Sequence, residues 1–188
     1  MSDSQPNLVL IDGSGFIFRA FHALPMLTRA DGTPVNAVLG FTNMLAQLLK
    51  DHTGTHIAVI FDAGRTTFRD AIYTEYKANR DEPPDDLIPQ FPLTREATRA
   101  FGVCCLEQDG FEADDLLATI SKAAVADGFE VLICTGDRDS FQLVSDNTTV
   151  LYPKKGVTDL ARMTPEAVEE KYGLTPKQYP DFAALRGD

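Results

Sequence analysis

The sequence predicts an α/β fold with a mostly parallel central sheet, and two patterns carry that prediction. Four short apolar runs are continuous rather than alternating, as expected for strands covered on both faces; they span residues 7–12, 56–62, 102–107 and 129–137. Between the runs, apolar residues recur at helical spacing over 36–50 and 112–128. Alternation of strand and helix along a chain is typical of a parallel sheet with crossover helices.

The first half of the chain supplies two strands and one helix. NLVLID at 7–12 and HIAVIFD at 56–62 are rich in β-branched side chains. Between them, residues 36–50 place apolar side chains on one helical stripe, made of Val38, Phe41, Leu45, Leu48 and Leu49. We therefore expect strand, helix and strand in this order.

Residues 66–100 form an insertion that is too long for a plain crossover between the second and third strands. TTFRDAIYTEYKANR at 66–80 has helical character, and DEPPDD at 81–86 interrupts it. PQFPLTREATRAFG at 89–102 then resumes a helical pattern. We expect two helices separated by a break.

The second half supplies two more strands and three helices. GVCCLE at 102–107 and FEVLICTGD at 129–137 are the strands, and the helix over 112–128 ends at a glycine suited to a C-cap. The segment 164–173 opens with Thr-Pro and closes with Gly, which indicates a helix, and 175–188 opens in the same way.

The bulk properties describe one ordinary globular domain. The 188 residues are 44% hydrophobic and 24% charged. No apolar run approaches the ~20 residues of a membrane-spanning helix, and the first residues lack the character of a signal peptide, so we expect a cytoplasmic protein without a membrane partner. Cys104, Cys105 and Cys134 lack the spacing of a zinc site, and we expect them to be buried, reduced thiols.

Acidic residues follow the ends of the predicted strands. Because parallel strands direct their carboxyl ends to one edge of the sheet, these acids are expected together there. The set is Asp12, Asp62, Glu112, Asp114, Asp115, Asp137 and Asp139. Two carboxylates ~4 Å apart repel by about 4 kcal/mol at an effective dielectric constant near 20. Such an all-oxygen set predicts Mg²⁺ or Mn²⁺, and two ions are the usual arrangement for hydrolysing phosphodiester bonds.

Each acid also has a structural interpretation. Asp114 and Asp115 suit the positive end of a helix dipole, and Asp137 suits the N-cap of the turn that follows it. The concentration of acids at one edge favours the metal interpretation. The net charge of −11 then no longer excludes a nucleic-acid substrate, because bound cations would attract the phosphates.

The insertion carries cations interleaved with aromatic residues. On a continuous helix, Arg69, Tyr73 and Lys77 share one face, and Tyr76 and Arg80 form another pair. Such a face could hold phosphates and stack on bases, or it could be a solvated face that packs its tyrosines; the spacing does not choose. Outside the insertion, Arg19 could point to the acidic edge or to solvent, and for His22 a core or surface role is expected.

Five segments, in order and spacing, resemble the amino-terminal 5′-nuclease domain of bacterial DNA polymerase I, a member of the flap-endonuclease group with a PIN-like fold. They are LVLIDGSGFIFRAFHAL, AVIFDAGRTTFRDAIYTEYKANR, GFEADDLLATI, TGDRDSFQLV and ALRGD. The resemblance covers nearly the whole chain and implies a metal-dependent nuclease that acts on DNA with 5′ flaps, nicks or RNA primers. It also implies a bacterial, nucleoid-associated protein, and we expect a monomer.

The resemblance also implies roles for individual residues. It implies a two-ion cluster of Mg²⁺ or Mn²⁺ held by the seven acids above together with Asp188. It implies that Arg19, Lys77 and Arg80 engage the reacting phosphate, and that Tyr76 lies among them. Residues 66–100 correspond to the helical arch through which a free 5′ end passes, so Arg69 and Tyr73 are expected to bind substrate as well.

One departure from the family pattern concerns the end of the chain. In the family, a further acidic ligand and a helix-hairpin-helix segment follow the Gly-Asp of 187–188, and a polymerase can follow. We expect either a fragment or a short form that binds DNA poorly, so a catalytically silent nucleic-acid-binding fragment is the rival interpretation. A dehalogenase-type phosphatase is disfavoured because Ser14 stands where that chemistry requires a second Asp.

Overall fold

The fold is built on one central sheet. The structure is a computed structural model that describes residues 7–51, 55–77, 81–155 and 159–186. In this part of the chain the sheet has six strands: β1 Asn7–Asp12, β2 His56–Ile60, β3 Cys104–Leu106, β4 Glu130–Cys134, β5 Thr148–Lys155 and β6 Asp159–Met163. Their order is β3-β2-β1-β4-β5-β6, and only the β5–β6 pair is antiparallel. The predicted mostly parallel sheet is confirmed.

Helices cover both faces of the sheet. They are α1 Gly13–Ala23, α2 Asn36–Asp51, α3 Phe68–Ile72, α4 Gln90–Ala100, α5 Ala113–Ala126, α6 Pro165–Tyr172 and α7 Tyr179–Arg186, with 3₁₀ turns at Arg138–Leu143 and Pro176–Gln178. The predicted ends of α6 are confirmed, because the Thr164 side chain caps its first turn and Gly173 is left-handed at φ 71°.

Two apolar cores lie on opposite faces of the sheet. Val9 and Ile11 of β1 face the core built with α1 and α2, and Phe91 of α4 packs against its margin. The intervening Leu10 faces the core built with α5, α6 and α7. This division explains why the strands read as continuous apolar runs, since both faces are covered.

A buried glutamine joins the insertion to α2. Gln90, at the start of α4, is fully buried, and its Oε1 accepts the amide hydrogens of Ala37 at 2.7 Å and Val38 at 3.2 Å. Its Nε2 donates to the Asn36 side chain and to the Asp86 carbonyl, each at 2.9 Å. One side chain therefore satisfies amides in the first turn of α2 that helical geometry leaves unpaired.

The predicted helix over 66–80 forms only in part: among its described residues, 66–77, the helix α3 covers Phe68–Ile72. The Thr67 side chain caps α3 by accepting a hydrogen bond from the Arg69 amide, and the Asp70 side chain completes a capping box. The helix ends after five residues, because Tyr73 is extended at φ −141° and ψ 105°; a turn then leads to Lys77. Arg69, Tyr73 and Lys77 therefore do not share a helical face. Residues 78–80, including Arg80, lie outside the described residues.

Other expectations are also corrected. β5 and β6 extend the sheet beyond the four predicted strands, and β6 closes its edge in the antiparallel direction. The three cysteines are free, as expected, but Cys104 is exposed rather than buried. Within the described residues, no helix combines the length and apolar character needed to span a membrane.

Candidate metal and nucleic-acid site

The candidate site lies at the carboxyl edge of the sheet, where the strand order reverses between β1 and β4. Open α/β sheets form their sites in the crevice at such a point. Asp12 ends β1 and is only 6% exposed. Its Oδ1 accepts from the Gly15 amide and its Oδ2 accepts from the Thr135 hydroxyl, both at 2.8 Å. The first turn of α1 and the end of β4 therefore fix this carboxylate.

The electrostatic environment of Asp12 disfavours its ionised form. Burial is the largest cause that raises its pKa to about 6, and the nearby carboxylates of Asp62 and Asp137 add to the effect. The hydrogen bonds from Gly15 and Thr135 act in the opposite direction without cancelling it. A buried acid beside two others is a group that a bound cation would stabilise.

Asp62 joins three elements at this edge. It lies two residues beyond β2, and its amide donates to the Ser14 hydroxyl of α1 at 2.9 Å. Its Oδ1 accepts from the amide of Ala113, the first residue of α5, at 2.7 Å. The carboxylate therefore both satisfies a helix amide and faces Asp12.

The start of α5 brings three more acids to the edge. The Glu112 amide donates to Asp115 Oδ2 at 3.0 Å, which closes the first turn. Asp114 is an exposed residue, yet its pKa is raised to about 8. Partial desolvation is the largest cause, followed by repulsion from Asp12, Asp137, Asp62 and Glu112. These carboxylates therefore lie close together, and we call the five of them the acidic cluster: Asp12, Asp62, Glu112, Asp114 and Asp137.

Two predicted members behave differently. Asp115 is bound by both terminal nitrogens of Arg69, each at 2.7 Å, and this pairing lowers its pKa. Asp139 donates its amide to the Asp137 carboxylate at 2.9 Å, and its own carboxylate contributes to a raised pKa of Tyr179. Asp137 therefore caps the following 3₁₀ turn, as its structural interpretation predicted, while it also acts on Asp12 and Asp114.

Cations of the insertion reach the same edge although the expected helix does not form. Lys77 Nζ lies 2.6 Å from Glu112 Oε1, and the Tyr76 hydroxyl donates to Glu112 Oε2 at 3.2 Å. Tyr73 does not join them; it is 57% exposed, and its hydroxyl donates to Glu75. Arg19 is half-buried on α1, and Asp188 lies outside the described residues.

The donor chemistry of the acidic cluster fits a hard divalent cation, since all its potential ligands are carboxylate oxygens and their repulsion would be relieved by positive charge. As the side chains are placed, no group of three His, Cys, Asp or Glu within the described ranges is arranged to hold an ion. Glu112 is turned toward Lys77 and Tyr76 instead.

Three residues of the site were missed by sequence reasoning. Gly15 lies so close to Asp12 that a β-carbon there would stand 2.3 Å from Asp12 Oδ2. Thr135 directly follows β4 and binds Asp12 across 123 positions of sequence. Arg95 of α4 donates to the Asp62 carbonyl at 2.8 Å and to Glu107 at 2.9 Å, and its guanidinium lies 4.8 Å from the Phe61 ring centre. For Gly15, the available signal was the sequence DGSG at residues 12–15, directly after the first strand. Thr135 and Arg95 make long-range contacts that the sequence does not indicate.

Comparison with known proteins identifies a matching family. The family described as 5′-3′ exonuclease, N-terminal resolvase-like domain, matches residues 7–173. DNA polymerase I of Mycobacterium tuberculosis (strain ATCC 25618 / H37Rv) is 57% identical over 188 residues, which cover 98% of this chain and 21% of that protein. DNA polymerase I of Bacillus subtilis (strain 168) is 47% identical over 184 residues, again 98% of this chain and 21% of that protein. The chain thus spans about a fifth of the length of these curated relatives.

Solved structures share the fold at lower identity. The T5 D15 protein, co-crystallised with metal ions, has a TM-score of 0.74 and 21% identity over 97% of this chain and 66% of that chain. The catalytic core of Rad2 in complex with a DNA substrate has a TM-score of 0.61 and 21% identity over 98% of this chain and 55% of that chain. Both likenesses concern the PIN-like fold.

Proposed function

We propose a nuclease function for this chain, which belongs to the family of the 5′-3′ exonuclease, N-terminal resolvase-like domain. In this proposal it is a structure-specific 5′-3′ exonuclease and flap endonuclease. It hydrolyses phosphodiester bonds at the 5′ ends of DNA or RNA primers, with divalent cations as cofactors.

The observation that carries the proposal is the acidic cluster itself. Asp12 and Asp62 at neighbouring strand ends, Asp137 after β4 and two acids at the start of α5 lie at one edge of the sheet, where burial and then repulsion from the other acids raise the pKa values of Asp12 and Asp114. A structural role needs no such concentration, because a helix dipole or an N-cap is satisfied by one carboxylate. Membership in a nuclease family supplies the chemistry for which carboxylates are gathered in this way.

Mg²⁺ or Mn²⁺ is the proposed cofactor, and two ions are proposed. The five carboxylates of the acidic cluster would hold them, with Asp115, Asp139 and Asp188 as further candidates. Bound cations would supply positive charge against the carboxylates and the reacting phosphate. The T5 D15 protein, which shares the fold, was crystallised with metal ions.

The insertion, residues 66–100, is the proposed substrate-binding arch of a single domain over 1–188. Lys77 and Arg80, with Arg19 of α1, would stabilise the charge of the phosphate. Arg69, Tyr73 and Tyr76 would contact the neighbouring nucleotides, since aromatic rings stack on bases and guanidinium groups bind phosphates. In the structure Lys77 and Tyr76 already lie at the acidic edge, where such a phosphate would be.

The proposed partners follow from the relatives. Homologous segments occur in bacterial DNA polymerase I, and the Rad2 core was solved with a DNA substrate. We therefore infer that the substrate is DNA with 5′ flaps, nicks or RNA primers, that a polymerase domain accompanies this domain, and that it works as a monomer at the nucleoid in the bacterial cytoplasm.

The test is cleavage of a 5′-flap DNA in Mg²⁺ compared with EDTA. Cleavage should require the cation, and Asp114→Asn should reduce its rate by at least about tenfold, because it removes one carboxylate of the cluster. Asp127→Asn is the matched control, since it changes the same residue type at the other end of α5. Equal cleavage in Mg²⁺ and EDTA would contradict the proposal.

The second candidate is a catalytically silent fragment that binds nucleic acid. It is favoured because the chain spans only about a fifth of the length of its curated relatives. It is distinguished by measuring flap binding and cleavage for this chain and for one extended past Asp188. Binding without turnover in both proteins would establish the second candidate and displace the first.

A further inference from the structure

We propose that the insertion autoinhibits the acidic edge, because Glu112 exchanges between the insertion and a divalent cation. The contacts of Tyr76 and Lys77 with Glu112 are called the latch. This inference rests on the proposed function and adds a regulatory contact to the same site. Its consequence is that cation binding and release of the insertion are one coupled event.

The latch occupies both oxygens of Glu112. Lys77 Nζ lies 2.6 Å from Oε1 and the Tyr76 hydroxyl lies 3.2 Å from Oε2. The Glu112 side chain is 15% exposed, so water competes weakly for these oxygens. Oε1 could not bind a cation while keeping its present partner, because the ammonium group stands where positive charge would have to be placed, and the hydrogen bond from Tyr76 holds Oε2 in the same orientation. Charge repulsion and geometry therefore make the two states exclusive.

The insertion has a second anchor, Arg69, which would keep it near the edge when the latch opens; its Nη1 also lies 3.9 Å from Glu112 Oε2. Arg69 binds Asp115 with two nitrogens at 2.7 Å, and its guanidinium lies 4.6 Å from the Phe68 ring centre. The Phe68 amide donates to the Gly110 carbonyl at 2.9 Å, and the Phe68 and Phe111 rings lie 5.6 Å apart. These contacts fix the base of the insertion eight positions before Lys77.

Lys77, at the end of the described segment 66–77, has a less favourable backbone conformation than the base of the insertion. Lys77 is the one non-glycine among the described residues with positive φ, at 55°. That left-handed conformation is uncommon for a lysine and persists where surrounding contacts impose it. The latch supplies that contact, so Lys77 is the part of the insertion that is expected to leave when Glu112 takes another partner.

Linkage makes the exchange reciprocal. If a cation at Glu112 releases Lys77, then a phosphate that holds Lys77 must strengthen cation binding by the same factor. The cation would thus free the lysine that the proposed function assigns to the substrate. Substrate and cofactor would each favour the state in which the other binds.

The test measures Mg²⁺ affinity by calorimetry in the absence of nucleic acid. Lys77→Met removes the competing ammonium and should tighten Mg²⁺ binding by about fivefold or more. Tyr76→Phe removes one hydrogen bond to Glu112 without changing the charge, and should tighten binding by a smaller factor. Lys77→Arg retains a cation and should bind Mg²⁺ like the wild type. Lys50→Met, at the end of α2, is the matched control for loss of one positive charge and should have little effect.

Hydrogen exchange across residues 68–77 gives a second readout. Mg²⁺ should accelerate exchange over residues 73–77 in the wild type, whereas Lys77→Met should exchange rapidly there with and without Mg²⁺; the anchored base at Phe68 and Arg69 should change little in either protein. The latch is wrong if Lys77→Met binds Mg²⁺ no more tightly than the wild type. It is also wrong if Tyr76→Phe has no effect and Lys50→Met tightens Mg²⁺ binding as much as Lys77→Met does, because general electrostatics would then explain the change. Failure of the wild type to bind Mg²⁺ would instead contradict the proposed metal dependence itself.

Discussion

Asp12 shows how single residues set the properties of the site. It is buried, it carries two hydrogen bonds, and its pKa is nevertheless raised to about 6. The Gly15 amide can donate to it only because no β-carbon separates the first turn of α1 from the carboxylate. Gly15 therefore serves to position an acid.

Gly15→Ala tests that role. The added β-carbon would stand 2.3 Å from Asp12 Oδ2, so the carboxylate or the start of α1 must move. We expect Mg²⁺ affinity, measured by calorimetry, to fall by about tenfold or more, as it does when groups that orient ligands are lost. Gly64→Ala is the matched control, because no atom lies within 4 Å of a β-carbon there. Unchanged affinity in Gly15→Ala would show that Asp12 does not take part in cation binding.

At the residue scale, sequence position identified Asp12 and Asp137, because both follow strands whose ends meet at one edge. It could not identify Thr135 as a partner of Asp12, or Arg95 as a partner of Asp62. Thr135 reaches Asp12 over 123 positions and Arg95 reaches Asp62 over 33. Such pairs depend on which strands are neighbours, and the sequence offers no local sign of them.

At the element scale, periodicity predicted the elements that bury a regular apolar face. α2, α5 and the strands β1 to β4 follow the expected segments closely. The insertion did not follow its pattern, because Arg69 and Lys77 are drawn to acids of α5 rather than aligned on one helix. β5 was missed since Pro153 and two lysines weaken its strand pattern, although it pairs with β4 and β6.

Gln90→Leu tests how the insertion supports the fold. The substitution leaves the Ala37 and Val38 amides without the acceptor that caps α2. Burying unsatisfied amides should lower the free energy of unfolding by about 2 to 3 kcal/mol, measured by urea denaturation. Gln47→Leu is the control. Gln47 lies on α2, the helix that Gln90 caps, and its side chain pairs with Asp51 in an exposed position. Equal stability of the two variants would show that Gln90 contributes nothing specific.

At the scale of the whole molecule, the fold places acids together at a cost in electrostatic free energy. Five carboxylates meet at one edge of a chain whose net charge is −11. Two of them have raised pKa values, Asp12 at about 6 and Asp114 at about 8, against 3.8 for an unperturbed aspartate. Stability should therefore depend on pH and on cations in a way that a well-paired surface would not show.

The sign of this dependence follows from proton binding. Above about pH 4 the unfolded chain has ionised both acids, whereas the folded chain retains a proton on Asp12 up to about pH 6 and on Asp114 up to about pH 8, so raising the pH through this range favours unfolding. Asp115, whose pKa is lowered by Arg69, acts in the opposite direction but only in more acidic solution. In EDTA, the free energy of unfolding should fall from pH 5.5 to pH 8.

Chemical denaturation at these two pH values, with EDTA or with millimolar Mg²⁺, measures the effect. Mg²⁺ should restore stability mainly at pH 8, where the acids that it would bind can ionise without a competing proton. Asp114→Asn should reduce the pH dependence in EDTA, whereas Asp127→Asn should leave it unchanged, because only Asp114 faces the acidic cluster. A stability in EDTA that stays constant or rises toward pH 8 would mean that the carboxylates do not repel one another in the folded protein.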